Sequence, residues 1–298
     1  MIERVVLFNP CNRGDLFISK ELVRYTIARL PHLAFSYAHR NPPELLKDID
    51  GLEHWGPEKI ATVAVGDSFK LLDDGKTLAL STWYGVSPTW HEGGVRGTGL
   101  TLNTLVELFR GHLREHFQLE ITEPVEHFIP VINWERFDLE AARRRMAQIG
   151  EYRTRVLFCN GPILSGQSQV SDDTVRELLA ALLDRFPDVL FICTSPFAAN
   201  VPNVMRSSDI LDTPAGACDL NETAYLGTLC DVIIGRCSGP FSFCYNTTIL
   251  GDENKTLISL TNDERMAHWP GNVAAKMMSA PAVDLDGIYE VVARELAA

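Results

Sequence analysis

The stretch RVVLFNPCNRGD, residues 4–15, carries the pattern that decides the fold of this chain. An apolar run over residues 5–8 leads into a polar turn that contains Gly14 and Asp15. The run predicts a buried strand over residues 4–9, and the segment after it predicts a helix over residues 15–30. The apolar residues of that helix fall near helical spacing on one face: Leu22, Val23, Ile27 and Leu30.

The same pattern returns in the second half of the chain as RVLFCNGPILSG, residues 155–166. Ser171 is predicted to cap a helix, and the residues after it include apolar positions at a regular i, i+3, i+4, i+7 spacing. These residues are Val175, Leu178, Leu179, Leu182, Leu183 and Phe186. Each half of the chain therefore opens with a strand, a polar loop that contains glycine, and an amphipathic helix.

Further strands and helices alternate after both openings, which predicts parallel sheets of the α/β class. The predicted strands cover residues 33–37, 62–65, 77–82, 189–194, 231–235 and 256–260. The predicted helices cover residues 101–117, 138–149, 219–228 and 288–296, and residues 84–99 read as a long loop. We expect two facing Rossmann-like domains, residues 1–150 and 151–298. Ligands of such sheets bind outside the carboxyl ends of the strands, so the cleft between the domains is the expected site.

Composition narrows the classes of function. The chain has 298 residues, 46% of them hydrophobic and 22% charged, which suits a globular protein of about two domains. The formal net charge of −12 argues against a nucleic-acid partner, because such proteins usually present a basic face. We expect no signal peptide and no transmembrane segment. Seven cysteines without a CxxC pair predict reduced thiols and a cytoplasmic protein.

The segment DLNETAYLGTLCDVIIGRCSGPFSFCYN, residues 219–246, is the most informative about chemistry. A helix leads into the buried strand at 231–235, and a second helix is predicted to begin near Pro240. Gly239 lets the backbone approach a ligand closely, and proline suits the first helical position because its missing N–H needs no partner there. The segment therefore predicts a strand, a tight loop and a helix N-terminus.

A phosphate fits such a helix N-terminus. The free N–H groups of Phe241 and Ser242 are expected to point toward the strand end, where they can bind an anion. Ser238 adds a hydroxyl donor, and Arg236 adds a cation whose fork geometry suits phosphate. The alternative is a plain strand-to-helix turn in which Ser238 serves as the cap.

Residues 230–240, CDVIIGRCSGP, resemble the nucleotide-diphosphate site of GT-B glycosyltransferases, most closely the heptosyltransferases. NKTLISLTNDERMAHWPGN, residues 254–272, is similar to the next strand and loop of that family, including its Trp-Pro pair. The resemblance implies a nucleotide-diphosphate sugar as donor substrate and no other cofactor. It also implies an acceptor that is a glycan, a lipid-linked sugar or a protein. The family usually has a histidine soon after Ser-Gly, where this chain has Phe241-Ser242-Phe243.

The resemblance reaches the first loop as well, where the family has a Gly-Asp pair whose aspartate is the general base toward the acceptor hydroxyl. Gly14 and Asp15 occupy that place, with Arg13 beside them. A carboxylate at the end of a strand can accept the proton of a hydroxyl that attacks an anomeric carbon. The alternative is that Asp15 caps the helix that follows it.

Further donor-binding residues follow from the resemblance. Asp219 and Glu222 have the D-x-x-E form of a capping box, and the family often binds ribose hydroxyls with an acidic residue near Glu222. Ser165 and Gly166 lie in the loop after the first strand of the second domain, where the family contacts the phosphates or the base. That loop has no lysine or arginine. No metal-ligand cluster is visible, and a metal-independent, inverting transfer is expected.

Trp90 and His91 lie in the long loop and are candidates for acceptor binding, because aromatic rings stack on sugars; packing within the loop is the alternative.

We therefore expect a glycosyltransferase. Two other functions stay open on the same fold. A nucleotide-sugar epimerase would need more acids and histidines around the site, and a non-catalytic nucleotide- or sugar-binding protein would explain the missing histidine.

Overall fold

A computed structural model describes residues 1–60, 66–83, 101–163, 170–197, 201–214, 217–236, 238–261, 273–280 and 284–298. The chain divides into two compact units, Met1–Val131 with Pro270–Asn272, and Ile132–Trp269 with Val273–Ala298. The predicted boundary was residue 150. The helix Glu140–Gln148, which the sequence assigned to the first domain, belongs to the second unit.

The first unit contains a five-stranded sheet in the order β3-β2-β1-β5-β4. Its strands are β1 Arg4–Phe8, β2 Ala34–Ala38, β3 Leu52–Trp55, β4 Phe69–Leu71 and β5 Thr77–Ser81. β1 lies in the centre and pairs in parallel with β2 and β5, while β4 pairs antiparallel with β5. Because β1, β2 and β5 run in parallel, Asn9, His39 and Thr82, which follow them, all lie at one edge of the sheet.

The helix predicted over residues 15–30 is two helices, α1 Arg13–Ile18 and α2 Lys20–Arg29. The break falls at Ser19, whose hydroxyl donates to the Leu16 carbonyl at 2.8 Å. Serine competes for backbone hydrogen bonds in this way and so favours helix ends over helix interiors. The long helix α3, Thr101–Phe117, is confirmed as predicted.

The second unit contains a six-stranded sheet in the order β11-β10-β9-β6-β7-β8, in which every pair is parallel. Its strands are β6 Thr154–Cys159, β7 Val189–Cys193, β8 Val204–Arg206, β9 Val232–Gly235, β10 Thr256–Ser259 and β11 Lys276–Ser279. Its helices are α4 Glu140–Gln148, α5 Asp172–Arg185, α6 Ser207–Leu211, α7 Leu220–Thr228, α8 Gly239–Phe243, α9 Thr247–Leu250 and α10 Leu285–Ala297. The parallel α/β class is thereby confirmed.

The core of the second unit forms between its sheet and two helices. Ser171 caps α5 as predicted, and its hydroxyl accepts a hydrogen bond from the Thr174 N–H at 3.0 Å. The apolar stripe of α5 is buried together with Ile288, Val292 and Leu296 of α10. Burying each such side chain contributes about 1.5–3 kcal/mol, so this stripe fixes α5 on the sheet.

Sequence periodicity missed the edge strands of both sheets. β3, β4, β8 and β11 have three or four residues each and are the outermost strands of their sheets. Edge strands are often very short and carry polar side chains, which weakens the apolar pattern that periodicity detects. The predicted strand at 62–65 and the predicted loop at 84–99 lie outside the described residues.

Six of the seven cysteines are described and all six are free thiols. Cys159, Cys193, Cys230 and Cys244 are buried, and burial raises the pKa of Cys193 to about 12. Within the described ranges, none of the helices has the length and apolar character required to span a membrane.

Candidate functional site

Asp15 is the third residue of α1 and lies seven residues beyond Phe8, where β1 ends. Its carboxylate Oδ2 accepts a hydrogen bond from the Asn12 backbone N–H at 3.2 Å, which is one arm of a capping box. The capping role that the sequence left open is therefore present. The bond engages one carboxylate oxygen, so capping does not use the whole acceptor capacity of Asp15.

Burial is the main influence on the charge of Asp15. It raises the pKa of the carboxyl, although the backbone N–H groups of Asn12 and of Asp15 itself oppose the rise. Burial also raises the pKa of the neighbouring Cys11 thiol to about 11; the charge of Asp15 adds to this rise and Arg40 opposes it. A carboxyl with a raised pKa is a stronger base than an ordinary aspartate once it is ionised.

Arg13 and Gly14, which the sequence placed in the turn before the helix, are the first two residues of α1, and Arg13 is exposed. The sequence missed a second cation near this loop. Arg40 is exposed just after β2, and its guanidinium donates to the Asn12 side-chain oxygen at 3.4 Å. Only the pairing of β1 with β2 brings residues 12 and 40 together, so no local signal could have identified Arg40.

In the second unit, β9 ends at Gly235 in close contact with its neighbours. A Cβ atom at this position would lie 2.7 Å from Cys159 Cβ and 2.8 Å from the Phe241 ring. Gly235 pairs with Cys159 of β6 in the sheet. The glycine therefore lets β6, β9 and α8 pack tightly at the carboxyl end of the sheet.

We expect Gly235→Ala to lower the free energy of unfolding by about 1–3 kcal/mol, because the added methyl group overpacks a buried contact. Thermal unfolding followed by circular dichroism measures the effect. Gly111→Ala is the matched control: it lies in α3, and its new Cβ would meet nothing within 4 Å. A Gly235→Ala protein as stable as the control would contradict the close packing.

The predicted phosphate contact of Arg236 is corrected by its surroundings. Its side chain is 3% exposed, and its terminal nitrogens donate to the Val170 carbonyl at 2.9 Å and to the Gly161 carbonyl at 2.7 Å. The Arg236 guanidinium also forms an ion pair with the Asp172 carboxylate, at an N–O distance of 2.6 Å. Because these protein groups occupy both terminal nitrogens, Arg236 supports the chain on either side of the loop after β6 and does not offer a free fork to a phosphate.

The helix predicted to begin near Pro240 is present as the short helix α8. α8 has five residues, and Pro240 is its second residue, not its first. The Ser242 N–H, predicted to be free for an anion, donates to the Ser238 carbonyl at 2.8 Å. The Phe241 side chain is fully buried and contacts the Tyr245 ring edge-on at 5.3 Å, so only its backbone could meet a ligand.

Ser238 and Gly239 keep their predicted place at the start of α8, next to the carboxyl end of β9. The Ser238 hydroxyl oxygen is buried and has no hydrogen-bond partner among the described residues. A buried hydroxyl without a partner is costly, so Ser238 has hydrogen-bonding capacity left for a ligand. The buried Nε of Arg236 also lacks a partner among the described residues.

The predicted cap of α7 is wrong. The Asp219 side chain makes no cap hydrogen bond and accepts instead from the Thr213 hydroxyl at 2.9 Å. Glu222 lies in the first turn of α7 and is half-buried. Four predicted site residues lie outside the described residues: Ser165, Gly166, Trp90 and His91.

A pocket of about 210 Å³ lies at the carboxyl ends of β6 and β7, beside the first two turns of α5. Asn160 joins the two strand ends, donating to the Ser195 carbonyl at 3.2 Å and accepting from the Ser195 N–H at 2.8 Å. Apolar groups of Val175, Leu179 and Phe197 form much of its wall, and Asp172 and Arg176 add charge. The volume suits one planar ring or one sugar, less than a whole drug-sized ligand.

Possible metal ligands are dispersed over the described ranges, where no group of three or more His, Cys, Asp or Glu side chains could hold an ion. The candidate polar groups lie at two places, one in each unit. Asp15, Asn12, Cys11 and Arg40 lie at the carboxyl edge of the first sheet. Ser238 lies at the carboxyl edge of the second, which also bears the pocket.

Solved structures similar to this chain are glycosyltransferases. The E. coli heptosyltransferase WaaC with ADP has a TM-score of 0.55 and 10% identity, over 99% of this chain and 98% of that one. The E. coli ADP-heptose lps heptosyltransferase II has a TM-score of 0.45 and 12% identity, over 99% and 98%. The glycosyl transferase family 9 structure from Veillonella parvula DSM 2008 has a TM-score of 0.46 and 12% identity, over 99% and 89%.

Neither a sequence model of a protein family nor a curated protein sequence matches the chain. At 10% identity, the likeness to the first of these structures bears on the fold alone. That likeness extends over nearly the whole of both chains, and each unit of this chain has a largely parallel sheet. The chain therefore has the heptosyltransferase-like GT-B fold.

Proposed function

We propose that this chain is a glycosyltransferase that moves a sugar from a nucleotide-diphosphate sugar to an acceptor hydroxyl. The observation that carries the proposal is Asp15: a carboxyl with a raised pKa, at the end of the central strand of the first sheet, in a GT-B fold. A helix cap alone needs no raised pKa, whereas a general base works best when its pKa is closer to the working pH.

The transfer we propose is a single displacement. The acceptor oxygen forms a bond to the anomeric carbon while the bond from that carbon to the diphosphate oxygen breaks, which inverts the configuration. The acceptor proton passes to the free carboxylate oxygen of Asp15 and from there to water. Arg13 and Gly14 begin the same helix, and we assign them to acceptor binding with Asp15.

On the donor side, we assign the diphosphate to the start of α8, where the Ser238 hydroxyl lacks a partner among the described residues. Gly239 and the backbone of Phe241 belong to the same short helix. We assign a ring of the donor to the pocket beside Asn160 and Ser195, because ligands of parallel sheets bind at the carboxyl ends of the strands. Arg236 supports this edge without touching the diphosphate.

A panel of nucleoside diphosphates and their sugars in a thermal-shift assay tests the donor assignment. ADP is the first to try, since the similar E. coli structure contains it. A ligand present at about 100 times its dissociation constant stabilises its protein by about 2.7 kcal/mol, so a true donor raises the Tm measurably. No response from any member of the panel would contradict the proposal.

We further propose that transfer requires no divalent metal. Initial rates of sugar transfer with and without EDTA should then agree, whereas loss of the rate in EDTA and its recovery with added magnesium would contradict this part. Anomeric configuration, read by NMR on the product, tests inversion: a product with the anomeric configuration of the donor would contradict the single displacement.

One observation favours a second function, a nucleotide- or sugar-binding protein without catalysis. Arg236 is the cation closest in sequence to the start of α8, and its terminal nitrogens are engaged by protein groups. A leaving diphosphate would then lack that neutralising charge. Ligand-induced stabilisation together with no transfer to any acceptor, and no hydrolysis of the donor, would favour this function over the transferase.

A further inference from the structure

Four buried polar side chains form a continuous hydrogen-bonded row beneath α1, the helix that carries Asp15. They come from three strand ends and one helix junction: Asn9 after β1, Tyr37 in β2, Thr82 after β5, and Ser19 between α1 and α2. None of the four is more than 2% exposed. We call this row the hydroxyl network.

The hydrogen bonds of the network can run in one direction. The Asn9 amide donates to the Thr82 hydroxyl at 3.0 Å, which lies 2.5 Å from the Tyr37 hydroxyl. The Tyr37 hydroxyl lies 2.8 Å from the Ser19 hydroxyl, which donates to the Leu16 carbonyl at 2.8 Å. Each hydroxyl then donates to the next member of the row and accepts from the one before it, and such chains strengthen their members cooperatively. The Phe8 carbonyl, at 3.3 Å, is a second and more distant acceptor for the Thr82 hydroxyl.

This network holds α1 at both of its ends. On the N-terminal side, the Asn9 side-chain oxygen accepts from the Cys11 N–H at 2.8 Å, in the loop that enters α1. On the C-terminal side, Ser19 bonds to Leu16 in the last turn of α1. Asp15 lies between these two attachments, and the Tyr37 hydroxyl is the link that joins them.

Tyr37 stays a neutral hydrogen-bond donor at ordinary pH. Burial raises its pKa to about 12; the hydrogen bonds with Ser19 and Thr82 lower it, and the charge of Asp15 adds to the rise. A buried phenol also packs as a hydrophobic ring, but packing alone would not require three hydroxyls and an amide to meet in a fully buried row. The network therefore links the ends of β1, β2 and β5 to the junction of α1 and α2, in addition to filling the core.

We propose that Tyr37 is a positioning residue that fixes Asp15 for proton transfer by joining the two ends of α1 through Ser19 and Thr82. The proposal rests on the proposed function of Asp15. Tyr37 itself lies beneath α1 and is buried, so it acts through the helix and does not touch a substrate.

The test compares Tyr37→Phe with Tyr25→Phe. Tyr25 lies in α2 of the same unit, and its hydroxyl bonds to Glu123, apart from the network. We expect Tyr37→Phe to lower kcat of sugar transfer about 10- to 100-fold, since a small displacement of a catalytic group has effects of this size, with the donor KM unchanged. Tyr25→Phe should leave both constants unchanged. Unaltered kcat in Tyr37→Phe would overturn the proposal.

A second measurement needs no substrate. NMR titration of the Asp15 carboxyl, assigned by its loss in Asp15→Asn, reports the pKa directly. Loosening α1 admits water to the carboxylate, so Tyr37→Phe should lower the Asp15 pKa toward its ordinary value, whereas Tyr25→Phe should not. Among the described residues, Cys11 and Tyr37 are titratable groups that interact with Asp15, and the charged Arg40 lies at the same loop. An Asp15 pKa that does not move would overturn the proposal, even if the wild-type protein transferred no sugar.

If Tyr37→Phe fails to fold, the pair Thr82→Val and Thr82→Ser replaces it. Valine removes the hydroxyl between Asn9 and Tyr37, while serine retains it in nearly the same place. We expect Thr82→Val to lower kcat and the Asp15 pKa and Thr82→Ser to keep both near the wild-type values. Equal values in the two variants would overturn the role of the network.

Discussion

Asp15→Asn should lower the rate of sugar transfer by about 10²- to 10⁴-fold, the usual contribution of a general base, with nucleotide affinity unchanged. The amide retains an oxygen that can accept the Asn12 N–H, so the cap of α1 and the fold are expected to survive. What the substitution removes is a basic oxygen able to accept the acceptor proton. Initial rates of transfer and calorimetric binding of the nucleotide measure the two quantities.

The matched control for Asp15→Asn is Asp188→Asn. Asp188 is exposed, pairs with Arg153, and precedes β7 at the amino end of the strand, opposite the edge that bears the pocket. Its substitution should leave the transfer rate unchanged. A fully active Asp15→Asn protein would restrict Asp15 to its capping role and remove the base from the proposed mechanism.

The pH dependence of transfer offers a further check on the same residue. A base must be ionised, so kcat should fall as pH falls through the pKa of Asp15. Because burial raises this pKa, the fall should begin at a higher pH than for an exposed aspartate. In Asp15→Asn, the residual rate should no longer show this fall at low pH.

Arg236→Ala should be the most destabilising substitution on the donor side, with a loss of about 2–4 kcal/mol, because it removes charge-assisted hydrogen bonds to two buried carbonyls, and such bonds are worth more than neutral ones. The carbonyls of Gly161 and Val170 both depend on this guanidinium. They stand on either side of the loop after β6, so nucleotide affinity should fall as well. Chemical denaturation measures stability, and calorimetry measures affinity.

Arg145→Ala is the control for the loss of an arginine from the same unit. Arg145 pairs with Asp212 at the surface, where an ion pair contributes about 0–1 kcal/mol. We expect its stability and nucleotide affinity to stay near the wild-type values. If Arg236→Ala lost nucleotide affinity while keeping its stability, the guanidinium would belong to the phosphate site after all.

The outcome at Arg236 illustrates where sequence reasoning fails. The sequence shows an arginine after a buried strand, a position typical of anion sites, and it contains no information about where the side chain points. Its partners at 161, 170 and 172 come from a distant part of the chain and reach Arg236 because β9 pairs with β6. The five-residue length of α8 has no signal in the sequence either, since a Ser-Gly-Pro start marks a helix and does not say how far it continues.

The hydroxyl network had no signal in the sequence for a similar reason. Tyr37 lies in an ordinary apolar strand, and Asn9, Ser19 and Thr82 are common turn residues. Their meeting depends on the order β2-β1-β5, in which the carboxyl ends of three strands come together under α1. Residues 9 and 82 are far apart along the chain, and only the strand pairing brings them within hydrogen-bonding distance.

By itself, the sequence determined the class of the fold, the two repeated openings, the position of Asp15 at the end of the first strand, and the cap and apolar stripe of α5. These features depend on burial and spacing over a few neighbouring residues, which periodicity records. The tertiary structure alone decided which polar groups pair: Arg236 with two carbonyls, Asp219 with Thr213, and Tyr37 with Ser19 and Thr82. Asp219 and Thr213 are only six residues apart, where the pattern of residues allows either this pairing or a helix cap. The pairings of Arg236 and Tyr37 depend on strand order and register across the sheet, and no local pattern of residues records these.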